Sequence, residues 1–281
     1  MLESGFLTAL FALGAAAAWG SGDFSGGLAV KRHNVYSVLL AAQLISAVPL
    51  LVLVLSFESV VPRIDDLLLG ALGGVCGMIG LLNLYLGLAK GRMTIVAPLT
   101  AIVASVIPVV VGLLSDGMPT NVQAMGFVIA LVAVWFLSSD GRRLEATPVE
   151  LRFALLSGIG FAAFFVSLDQ VSGETTLWPI WAARVASLIA LSFFTVIYGK
   201  WRAPARSLLP IIALAGLFDV AGNYFFVMAA QAGRLDIATI ISSLYPAITV
   251  MLAWLIFKER LKLQQGFGVA AALIAIVMIT F

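Results

Sequence analysis

Apolar residues run along this chain in long blocks broken only by short clusters of charge, proline or asparagine. Ten blocks are long enough to be membrane helices, at roughly 5–29, 35–56, 66–89, 93–114 and 121–138, then 152–171, 177–199, 207–231, 236–257 and 263–281, since a span takes about 20 residues. The pattern predicts an all-α integral membrane protein with ten transmembrane helices. The first block begins close to Met1 but has neither a basic leading region nor a small-residue cleavage site, so it reads as a retained helix rather than a signal peptide.

Composition narrows what such a chain can do. Of 281 residues, 62% are hydrophobic and 11% charged, and the mean hydropathy is +1.11. Ten spans use roughly 200 residues and leave about 80 for all loops, so no soluble catalytic or binding domain is expected. A formal charge of +2 is too small to suggest a nucleic-acid partner. The single cysteine, Cys76, lies in an apolar block, and the single histidine, His33, in a basic loop, so neither a disulfide framework nor a metal site or other cofactor is expected.

Lysine and arginine sort to one side of the predicted spans. Thirteen fall there, including Lys31, Arg32, Lys90, Arg92, Arg142, Arg143, Lys200 and Arg202, whereas the other side carries only Arg63 and Arg234. Basic loops stay in the cytoplasm. The expected location is therefore the bacterial cytoplasmic (inner) membrane, with both termini on the external face.

The two halves also resemble each other at a shift of roughly 142 to 146 residues, the self-similarity of an internal repeat. Ser21-Gly22-Asp23 parallels Ser167-Leu168-Asp169, and the Gly91-Arg92 turn parallels Gly233-Arg234. Five helices per copy is an odd number, so consecutive copies insert upside down relative to each other, as in many secondary transporters. The expectation is two inverted five-helix repeats, residues 1–140 and 148–281.

At these residues the chain resembles a known family. Trp19-Gly20-Ser21, the Ala89-Lys90-Gly91-Arg92 turn, the prolines of the fourth and ninth helices, and Lys258-Glu259-Arg260-Leu261 followed by Gln264 and Gly266 look like the ten-helix EamA branch of the drug/metabolite transporter superfamily. The first-half counterpart of the Glu-Arg-Leu turn, Ser115-Asp116-Gly117-Met118-Pro119, lacks the Glu-Arg pair. The resemblance implies export of small metabolites, often amino acids, by alternating access without an ATP-binding domain.

Ionisable residues at membrane depth are costly and mark candidate function. Asp219 falls near the middle of helix 8, Arg184 on helix 7, and Asp23 toward the cytoplasmic end of helix 1. Carboxylate and guanidinium suit the ammonium and carboxylate of a zwitterion, and the same two groups could form a structural ion pair. Asn223 extends the stripe of Asp219 by one turn, with Gly216 and Gly222 beside it for close approach. Trp181 shares the face of Arg184, and Trp19 lies one turn from Asp23. Asn83, Tyr85, Ser242, Ser243 and Tyr245 complete the candidate substrate-binding set. Asn83 and Tyr85 point to different sides of helix 3, so at most one is expected to reach a cavity. Pro98, Pro108 and Pro246 mark helices 4 and 9 as candidate gates or kinks. The glycines at 70, 73, 74, 77 and 80 read as a packing stripe.

The leading expectation is a secondary transporter exporting amino acids or related small metabolites, working as a monomer on a small-molecule solute within the lipid bilayer. A proton-coupled multidrug efflux pump and a channel remain alternatives. An enzyme is not expected, because no base lies near a serine nucleophile.

Overall fold

The computed structural model describes residues 2–90, 93–138, 146–199, 201–257 and 263–280, and these contain helices and no strand. In chain order they are α1 (Leu2–Val30), α2 (Val35–Phe57), α3 (Ile64–Lys90), α4 (Met93–Ser115), α5 (Asn121–Ser138), α6 (Pro148–Asp169), α7 (Leu177–Ile197), α8 (Leu209–Ala232), α9 (Leu235–Ser242), α10 (Tyr245–Phe257) and α11 (Leu263–Thr280). Nine apolar runs among the described residues are long enough to cross a membrane, with α9 and α10 forming one run over Leu235–Ile256. The shorter Asn121–Leu137 is the tenth. Gly91-Arg92 of the first turn, the Lys258-Glu259-Arg260-Leu261 turn, and Arg142, Arg143, Lys200 and Lys262 lie outside the described residues.

Local chemistry sets the helix ends. The Asn34 side chain accepts the Ser37 amide and starts α2. Thr147 and Glu150 form a reciprocal capping box around Pro148, which starts α6 four residues before the expected 152. The first turn of α7 has no cap of its own. Instead Glu58, just past α2, accepts the amides of Thr176 and Leu177 at 2.9 and 2.7 Å. The ninth span breaks between Ser242 and Tyr245, immediately before Pro246, whose missing N–H cannot continue the ladder. By contrast, α4 runs unbroken through Pro98 and Pro108.

Helix pairing follows a regular order. The pair α1 and α8 has a counterpart in α6 and α3, and the pair α3 and α7 in α8 and α2. The pair α4 and α6 is matched by α1 against α9 and α10, while α5 lies against α11. Individual residues repeat the correspondence. A Cβ on Gly74 of α3 would collide with the backbone of Ala183 in α7, and one on Gly216 of α8 with the backbone of Ala42 in α2. Small residues here let backbones touch, the packing available to helices in lipid. Facing outward, Val52, Leu55, Phe193, Val196, Phe267 and Leu273 are all exposed, as a lipid-contacting surface requires.

The connections separate to two ends. At one, Asp66 at the start of α3 accepts the amide and hydroxyl of Ser172 at 2.9 and 2.6 Å. There too, Arg234 donates to the carbonyls of Asp116 and Gly117 while its guanidinium also holds Asp236. Asp236 keeps that guanidinium above the ordinary arginine value. At the opposite end, His33 bonds the carbonyl of Arg202, and the Arg202 amide donates to Ser37. This end holds the loops that carry Lys31, Arg32 and Arg202.

Candidate functional site

Between the helices lies a cavity of about 80 Å³, lined from α1, α2, α3, α6, α7, α8 and α10. At about 10–15 Å³ for one water, this is room for a small solute or a few waters. Its polar groups come from one face of each helix. Trp19 and Asp23 are one turn apart on α1, Arg184 and Ser187 on α7, and Asp219 and Asn223 on α8. Tyr245 opens the first turn of α10, directly after the break and just before Pro246.

Arg184 Nη2 donates to Asp219 Oδ2 at 2.5 Å, closing the two central charges on each other. The guanidinium side chain is only 4% exposed, the carboxylate 28%. This pair leaves Arg184 Nε, which is buried, without a hydrogen-bond partner among the described residues, and the Tyr245 hydroxyl is in the same condition. Both residues line the cavity. An unmet donor in a low-dielectric space costs about 1–3 kcal/mol. A bound solute that supplies acceptors removes that cost.

The remaining polar contacts hold the walls. Trp19 Nε1 donates to Asn223 Oδ1 at 3.0 Å, tying α1 to α8. Ser187 donates to Gln43 Oε1 at 2.8 Å, tying α7 to α2. The Trp19 ring packs on Phe165 and Phe226 with centroids 5.5 and 5.7 Å away, and Phe164 closes the cluster. The charges thus face an aromatic wall. Gly222 makes room for it, since a Cβ there would strike the Trp19 ring.

A smaller compartment of about 30 Å³ adjoins the first, and Arg184, Asp219, Asp23, Gln43 and Trp19 line both. Tyr85 lines this second compartment beside Asp23. Of the residues expected from sequence, Trp19, Arg184, Asp219, Asn223 and Tyr245 line the larger compartment and Tyr85 the smaller. Four others line neither. Trp181 packs on the apolar core. Asn83 donates to the carbonyl of Ile79 in its own helix. Ser242 bonds the carbonyl of Ala12, and Ser243 accepts from Ser105 and donates to Thr239. Of the prolines, Pro246 abuts the cavity through its neighbour Tyr245, while among the described residues Pro108 of α4 lines neither compartment. The sequence names Asp23 as an ionisable residue at membrane depth without placing it in the substrate-binding set, and Phe164, Phe165 and Ser187 are lining residues it does not single out. Asp23 was detectable from its one-turn spacing to Trp19, whereas phenylalanines in an apolar block carry no distinguishing signal. Among the described residues no group of three or more His, Cys, Asp or Glu is placed to hold a metal ion.

Residues 150–281 match the EamA-like transporter family, and a protein of known crystal structure covers 98% of this chain and 98% of its own with a TM-score of 0.81 at 12% identity. The match, over the second half of the chain, supports membership of the EamA/drug-metabolite transporter superfamily. The chain is a multi-pass membrane protein, and the matched family moves small solutes. An uncharacterised protein of Methanocaldococcus jannaschii is 25% identical over 130 residues, which are 46% of this chain but 92% of that protein. The relative is thus about half as long.

Proposed function

We propose that this chain exports amino acids or related small metabolites from the cytoplasm across the bacterial inner membrane by alternating access. The observation that carries the reading is the buried Arg184 and Asp219 pair, with Arg184 Nε still lacking a partner. A zwitterion can exchange into such a pair, its carboxylate on the guanidinium fork and its ammonium on Asp219. The aromatic wall of Trp19, Phe164 and Phe165 gives an apolar side chain a surface to lie on.

The frame around the site is proposed to be two inverted five-helix repeats, residues 1–140 and 148–281. The matched helix pairs, the Gly74–Ala183 and Gly216–Ala42 contacts, and the half-length archaeal relative support it. Pro246 and the break beside it make the ninth span the element best built to move at the cavity. The sorting of lysine and arginine supports cytoplasmic basic loops and external termini, and a duplicated chain supplies both halves without a second copy.

The test is uptake into proteoliposomes of labelled amino acids beside quaternary ammonium dyes, with Arg184→Gln and Asp219→Asn. Saturable counterflow of amino acids that falls at least tenfold in Arg184→Gln is the expected result. Transport of dyes but not amino acids would favour multidrug efflux, and non-saturable flux a channel. Normal transport in both variants would remove the site.

A further inference from the structure

The zwitterion reading uses two charges, but the cavity holds three. Asp23 lines both compartments beside Asp219 and Arg184. The groups that face Asp23 come from every side: Tyr85 of α3, Arg184 of α7, Asp219 of α8 and Tyr245 of α10, with the neutral Gln43 from α2. The single acid of α9, Asp236, is held by Arg234, and α11 has no ionisable residue. Among the described residues two carboxylates therefore share one guanidinium. Asp219 takes that guanidinium at 2.5 Å, which leaves Asp23 beside the Tyr85 hydroxyl with no cation of its own among the described lining residues.

An ionised carboxylate without a cation is expensive at membrane depth, and neighbouring carboxylates that cannot both ionise share a proton. We propose that Asp23 and Asp219 together hold one exchangeable proton in the empty carrier, and that a second cationic group on the cargo takes its place. The proposal rests on reading this cavity as the solute site.

The charge balance fixes when the proton leaves. A neutral amino acid brings one carboxylate for Arg184 and one ammonium for Asp219, adds no net charge, and leaves the proton where it is. A dibasic amino acid brings a further ammonium. The O–H bond of the Asp23 carboxyl then breaks, the proton passes to water, and the carboxylate pairs with the added ammonium. The net charge of the cavity is zero before and after. Movement of dibasic cargo is consequently coupled to a proton moving the other way, and movement of neutral cargo is not.

Infrared difference spectroscopy on the full chain in lipid bilayers, without cargo, reads the C=O stretch of protonated carboxyls. Wild type should show a protonated aspartic acid at neutral pH that is lost in Asp23→Asn and equally in Asp219→Asn, because either change leaves one carboxylate for Arg184. Arg184→Gln should double the band, a response that a purely structural Asp23 would not give. Absence of the band from wild type, or its survival in both aspartate variants, overturns the proposal. With wild type alone, saturating lysine should release about one proton per bound molecule to a pH dye, and leucine none. Equal release by the two, or none on lysine binding, also overturns it. If neither amino acid binds, the solute reading fails while the infrared arm still decides the proton.

Discussion

Arg184 is the residue on which the cavity's electrostatics turn. It is the cation facing both Asp219 and Asp23, and its side chain is almost wholly buried. Its replacement by glutamine strands two carboxylates, and breaking a buried pair in this way costs about 3–5 kcal/mol. Asp219→Asn should cost clearly less, because Asp23 lines the same compartments and can take the guanidinium over. Denaturant unfolding of the purified protein, followed by tryptophan fluorescence, compares the two. A loss in Asp219→Asn as large as in Arg184→Gln would show that Asp23 does not reach Arg184.

At the scale of the helix, glycine decides how close α3 comes to α7. A Cβ on Gly70 would meet the backbone of Pro179, which cannot move aside as a flexible side chain could. Gly70→Ala should therefore lower stability by about 1–3 kcal/mol, the range for overpacking. Gly266→Ala, where nothing lies within 4 Å, is the control and should show no cavity-side loss. Equal unfolding midpoints for the two variants in detergent would contradict the packing role of the stripe. The helices themselves were legible in the blocks of apolar residues, because a span needs length and little else. Their ends were less so. Thr147-Pro148-Val149-Glu150 spells a capping box that starts α6 four residues ahead of the expected 152, whereas α7 starts at the expected Leu177, its first amides held by Glu58 just past α2. The site was half legible for the same reason. Arg184, Asp219 and Asn223 stand out as polar groups at depth. Which face of a helix they share is set by packing, so Trp181 shares a turn with Arg184 yet lies against the core.

Across the whole molecule, helix pairs recur in matched sets, so seven helices line one middle space, whose polar groups come from α1, α2, α3, α7, α8 and α10. The lipid-facing shell is apolar and the interior is where charge is met by charge. The central claim is that cargo occupies this middle space. Cysteine protection tests it most directly, using Ala183→Cys on the cavity wall and Val52→Cys on the outer surface, both in a Cys76→Ser background. In proteoliposomes treated with a small membrane-permeant thiol reagent, amino acid at saturating concentration should slow labelling at position 183 by tenfold or more and leave position 52 unchanged. Equal labelling of position 183 with and without any amino acid of the transported set would contradict the account.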